Sequence, residues 1–225
     1  MSKRKYSEDQ LITRSLEATF RALEDEGLEG VIEGTPIVFN QDTVMHSWDG
    51  DYYERIDPTA LNNANLDDVR LFINHETNKI TLARSKRGNP NSTMSFRIDE
   101  TGFHIRAVLD IENNTEARAI YSSIKRGDTD GMSFMFRISD YEWQGLDTEM
   151  PTLIIKSISI VHEVSVVNFP AYPQTSVNAR CEKEETSSSL LAEAKKAYAE
   201  ETARSKELEI KQQELELAKL KALVL

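Results

Sequence analysis

The stretch TLIIKSISIVHEVSVVNFP, residues 152–170, narrows the choice of fold more than any other part of the chain. Its valines and isoleucines are stiff at χ1 and suit a pleated surface better than a helix. Pro170 and Pro173 then close the run, because proline cannot donate to a strand ladder. A strand this apolar belongs inside a sheet. Yet it carries His162 and Glu163, a base and an acid side by side.

The segments before it have the same texture. GVIEGTPIVFN (30–40), RLFINH (70–75), KITLARS (79–85), MSFRID (94–99), GFHIRAVLD (102–110) and GMSFMFRISDYEWQG (131–145) all read as strands, with a turn at Gly88–Asn91. One internal helix is predicted over 114–127, with Ala117, Ile120, Tyr121 and Ile124 on one side and Gly127 as its C-cap. Many short strands around one or two helices predict a mainly β fold with helices, built as a closed or nearly closed β-barrel.

Both ends differ from this middle. Over 7–29, Leu11, Ile12, Leu16, Phe20 and Leu23 recur at helical spacing behind Ser7 as N-cap, which predicts an amphipathic helix. CEKEETSSS (181–189) reads as a polar linker. Residues 190–225 contain no Gly or Pro and read as a long helix. Ile210, Leu217, Leu220 and Val224 share a stripe while Leu208 and Leu215 lie off it, so the heptad is imperfect and a solvated or partner-seeking helix is expected. The expected organisation is an N-terminal helical extension (1–30), a β domain (31–179), and a linker with a helical tail (180–225).

Composition removes several function classes. The formal net charge is −11, and the only basic run is Lys3-Arg4-Lys5, so no nucleic-acid partner is expected. A single cysteine, Cys181, rules out an intrachain disulfide and a multi-cysteine zinc site. No apolar run reaches the roughly 18 residues of a membrane span, and the first residues lack the apolar core of a signal peptide, so a cytoplasmic protein without a membrane partner is expected.

Four histidines are present: His46, His75, His104 and His162. No HExxH pattern occurs, and no metal or other cofactor is expected. His75 ends a strand and precedes a polar turn, a position that suits either a general base or a plain surface histidine. Ser133, in GDTDGMSFMFRI, enters an apolar run just after Gly131. It suits either an inward-packed barrel serine or a nucleophile, and as a nucleophile it needs a base. Met135 stands where GxSxG would need its second glycine, so the hydrolase nucleophile elbow is not indicated. Glu163 suits an acid that orients a histidine, an edge charge that blocks strand pairing, or a salt bridge to an arginine.

Five blocks carry a resemblance. IEGTPIVFN (32–40), YERIDPTAL (53–61), VRLFINHETNKITLAR (69–84), RGDTDGMSFMFRI (126–138) and HEVSVVNFPAYPQTSV (162–177) resemble, in order, the prohead (capsid maturation) proteases of tailed bacteriophages. The resemblance implies a serine endopeptidase with a fold similar to the herpesvirus maturational protease, a β-barrel surrounded by helices. Its histidine, serine and acid fall on His75, Ser133 and Glu163. The chain departs from the family's more frequent "NHD" and "GMSFGF", and Met135 is expected to crowd the nucleophile's strand. Related herpesvirus enzymes use a histidine as third member, so His162 competes with Glu163 for that role. The two face opposite sides of a regular strand.

The resemblance further implies a substrate, the scaffolding portion of the major capsid protein, cut in the host cytoplasm inside the assembling prohead, and self-cleavage. Expected partners extend to the portal and to further copies of the chain. The competing expectation is a catalytically inactive scaffold or assembly protein that retains the fold.

Overall fold

The computed structural model describes residues 11–17, 20–23, 27, 29–168 and 190–223. Over these the chain is mainly β with two helices. The strands are β1 (Leu11–Glu17), β2 (Phe20–Ala22), β3 (Val31–Val38), β4 (Thr43–Met45), β5 (Tyr52–Ile56), β6 (Asp68–Ile73), β7 (Ala83–Lys86), β8 (Met94–Ile98), β9 (Gly102–Val108), β10 (Gly131–Gln144) and β11 (Thr152–Val167). Helix α1 (Thr115–Arg126) joins β9 to β10, and α2 (Leu190–Leu223) follows the sheets.

The antiparallel β10–β11 pair is the spine. It sets Ser133 opposite Ser165 and Met135 opposite Glu163. Its ladder shifts register at four places between Met135 and Tyr141, and such bulges bend and twist a strand pair. β1 lies antiparallel on the free edge of β10, β5 and β6 run parallel to the two halves of β11, and β4 and β7 complete the sheet. A second sheet has the order β2-β3-β9-β8. Phe103, Phe134, Phe136, Ile32, Ile37, Leu71 and Ile158 are fully buried in the core, where the Phe134 and Phe136 rings stack at 4.6 Å. Gly102 opens β9 against the backbone of Ile37, where any Cβ would collide with the Ile37 carbonyl oxygen.

Two expectations are corrected. The strands do not close a barrel: among the described residues they form two open sheets. At the β7/β8 seam, side-chain hydroxyls occupy ladder positions. Thr93 Oγ1 accepts from Arg84 N–H (3.0 Å) and Ser92 Oγ accepts from Lys86 N–H (3.1 Å), in competition with backbone partners. The helix expected over 7–29 is also not formed over its described residues. Leu11–Glu17 and Phe20–Ala22 are strands, one in each sheet, because pairing with β10 and β3 outweighs a modest local helix preference.

The remaining elements track the sequence more closely. α1 is capped as its ends suggest: Asn114 Oδ1 accepts from the Glu116 and Ala117 N–H groups, and Gly127 closes the helix at φ 76°. The predicted strand at 79–85 is shorter, since Lys79 turns back on Glu76 and β7 starts at Ala83. α2 forms from Leu190, and Leu191 is fully buried beside Tyr52 and Leu153. The linker at 180–189 and Pro170 and Pro173 lie outside the described residues.

Candidate active site

β6 delivers the histidine. After Ile73 the chain enters the left-handed region twice in succession, at Asn74 (φ 48°) and His75 (φ 60°). Non-glycine residues adopt this region at a cost of about 1 kcal/mol or more, so the surroundings must hold it. They do so through the Asn74 N–H to Val166 O (2.9 Å) and the His75 N–H to Ser165 Oγ (3.1 Å). The turn carries the imidazole back over the sheet.

β10 and β11 deliver the other two groups. His75 Nε2 lies 2.6 Å from Ser133 Oγ, and His75 Nδ1 lies 2.5 Å from Glu163 Oε1. Glu163 Oε2 accepts from Ser165 Oγ at 2.6 Å. His75 is therefore tied to Glu163 twice, by its ring and, through Ser165, by its own backbone N–H. Ser133 and Ser165 are fully buried, and Glu163 is 2% exposed. The partner of this buried carboxylate is a histidine rather than an arginine, which suits an acid that fixes a tautomer and stabilises an imidazolium.

Ser133 Oγ has a further neighbour, the carbonyl oxygen of Arg14 on β1, at 2.8 Å. The hydroxyl carries one proton. Given to His75 Nε2, it leaves Oγ ready to attack; given to Arg14 O, it leaves Oγ as the acceptor of a protonated His75. Arg14 itself forks onto Glu54 through Nε (2.6 Å) and Nη2 (2.8 Å).

A family model described as caudovirus prohead serine protease matches residues 16–189. The chain belongs to that family. It is a serine protease of prohead maturation, with capsid protein as substrate and the assembling prohead as its place of action. No curated protein and no solved structure matches it.

In this prohead protease His75, Ser133 and Glu163 converge, while the other histidines lie apart. His162 is the extra residue of the first β10–β11 bulge, where Met135 pairs with Glu163 and Phe136 with Val161. It accepts from Arg137 Nε–H at 3.3 Å, and burial, with the Arg137 cation second, holds its pKa below the usual 6.5. His46 pairs with Asp51, and His104 lies among Thr35, Asp99 and Thr101. Among the described residues no group of three His, Cys, Asp or Glu side chains could hold a metal ion, and no helix is long and apolar enough to cross a membrane.

Three contributors were not singled out from sequence. Ser165 shares a strand face with Glu163, two residues on, and that spacing is a usable signal. Glu54 sits among Tyr52 and Ile56 at the inward positions of β5, a carboxylate where an apolar residue belongs. Arg14 had no signal, because its role depends on a strand that local pattern does not announce.

Proposed function

We propose that Ser133 is the nucleophile of the prohead protease, His75 its general base and acid, and Glu163 the acid that orients His75. The observation that carries this reading is the single imidazole bridging Ser133 and Glu163 at 2.6 and 2.5 Å. His75 Nε2 takes the Ser133 proton as Oγ attacks a peptide carbonyl, then returns it to the leaving amine. Nδ1–H stays on Glu163, which stabilises the transient imidazolium without itself taking the proton.

The substrate in this reading is the scaffolding portion of the capsid protein, cut within the prohead, and the enzyme also cuts itself. A β domain similar to the herpesvirus maturational protease and a tail, α2, that tethers the enzyme to scaffold, portal or a second copy complete the proposal. Exposed Leu208, Ile210 and Leu215 on α2 support the tether. Co-expression of capsid protein with wild type or Ser133→Ala, read by mass spectrometry, tests the whole. Wild type yields a shortened capsid protein and Ser133→Ala leaves it full length. Processing by Ser133→Ala at near the wild-type rate would end the proposal.

A further inference from the structure

The nucleophile of a protease has to meet solvent-borne substrate, yet Ser133 is fully buried. One of the elements flanking it is β1, an edge strand antiparallel to β10 with Ser15 directly opposite Ser133. An extended peptide adding to a sheet edge binds in this way, with main-chain bonds for affinity and pockets for alternate side chains. β1 therefore occupies the place that a substrate strand would take.

Its register is specific. The β1 carbonyl oxygen that accepts from Ser133 Oγ, at 2.8 Å, is that of Arg14, so Arg14–Ser15 is the peptide bond that β1 places beside the nucleophile. The side chain on the acyl side of that bond enters a prepared site. Glu54 is 5% exposed and receives both Nε and Nη2 of Arg14, whose side chain is itself only 10% exposed. A two-pronged guanidinium–carboxylate pair is the strong form of this contact. A carboxylate this deep becomes costly once its cation leaves, so it selects for another cation.

We propose that Glu54 is the specificity residue for the acyl side of the scissile bond, that the enzyme cuts after arginine and, less readily, lysine, and that Arg14–Ser15 is the first bond it cuts. This rests on the serine-protease reading above. Ser133 Oγ bonds to the Arg14 carbonyl carbon as its proton passes to His75 Nε2. The carbon–nitrogen bond breaks and the Ser15 nitrogen takes that proton. Water then adds to the acyl carbon, its proton returning through His75 to Ser133 Oγ, and Arg14 leaves as a carboxylate. Loss of Leu11–Arg14 uncovers the edge of β10 over Phe134–Arg137 for capsid-protein segments that carry a basic residue.

Two measurements on the full chain test this. Intact mass and N-terminal sequencing are expected to find Ser15 at the new N-terminus of wild type, the uncut chain in Ser133→Ala and in Arg14→Glu, and a restored cut in the charge-swapped pair Arg14→Glu with Glu54→Arg. Peptides differing only in arginine or glutamine before the scissile bond give the second. Wild type is expected to favour arginine by about 100-fold or more in kcat/KM, and Glu54→Gln, which keeps the side-chain shape, to bring the ratio within about tenfold. A wild type that cuts capsid protein but keeps its N-terminus overturns the self-cleavage. A wild type without the arginine preference, or a Glu54→Gln that slows both peptides alike, overturns the pocket. Absence of any Ser133-dependent cleavage of capsid protein removes the protease reading and this proposal with it.

Discussion

Ser165→Ala is the substitution that best probes how the candidate site is held. Ser165 is fully buried and lies opposite Ser133 across the β10–β11 ladder, on the side away from β1. Its hydroxyl donates to Glu163 Oε2 at 2.6 Å and accepts from the His75 N–H at 3.1 Å. Removing Oγ strips one oxygen of a 2%-exposed carboxylate of its donor and leaves a left-handed residue less restrained. A hydrogen bond to a charged group contributes about 1.5–3 kcal/mol. Both folding and catalysis feel that loss. The melting temperature should fall by about 3–12 °C, given roughly 2–4 °C per kcal/mol for a chain of this size. A wandering imidazole should lower kcat by about 10–100-fold, equivalent to roughly 1.4–2.7 kcal/mol of barrier. KM should stay within about twofold, because Ser165 touches the acid and the base and not the strand passing Ser133. The assay is kcat and KM on a cleaved fluorogenic peptide, beside a thermal melt. A kcat within twofold of wild type despite a lowered melting temperature would refute the reasoning and make Ser165 merely structural.

Further expectations follow from other parts of the molecule. His162→Gln should keep near wild-type kcat/KM, since His162 faces Arg137. Its folded pKa lies below 6.5, so wild type should lose stability as the pH falls below that value and the variant should lose less, read by melts between pH 7 and 5. Burial raises the Asp57 pKa, but hydrogen bonds from Lys156 and Thr59 outweigh it and hold the group at about 2 against its usual 3.8. The stability it supplies is complete above pH 3.8 and is lost as the pH falls towards 2. Asp57→Asn should flatten that part of the acid-denaturation curve, an effect on the order of 1 kcal/mol after solvent screening. Asn114→Ala should cost about 1 kcal/mol by uncapping α1, seen as a melting temperature lower by about 2–4 °C. Leu191→Asp should undock the first turns of α2, shown by faster amide exchange over 191–198, with peptide cleavage unchanged.

Local pattern carried much of this architecture. The valine and isoleucine density of 152–170, the capped helix behind Asn114 and the Gly-free run from Leu190 each dictate their element through nearest neighbours alone. His75, Ser133 and Glu163 could be nominated through a resemblance, but their approach to one another depends on the β10–β11 register and a left-handed turn that no spacing encodes. β1 was misread for a related reason. Leu11, Ile12 and Leu16 fit a helical stripe, and only the vacant edge of β10, more than a hundred residues away in sequence, makes them strand. Closure of the sheets was likewise misjudged, because hydroxyls of Ser92 and Thr93 take up backbone partners that a continuous ladder would use.

The length of α2 has its own consequence. Thirty-four helical residues amount to a rod of about 51 Å, and with no glycine or proline it has no built-in hinge. Its first turns are seated by Leu191 beside Tyr52 and Leu153, and residues as far as Ser205 line a cleft with Tyr141 and Trp143. The remaining eighteen residues, 206–223, project about 27 Å farther. Anything that grips the distal end fixes the distance at which the sheets can work. Inside a closed shell, such an arm would turn attachment into a radius, and the bonds within that radius would be the ones cut.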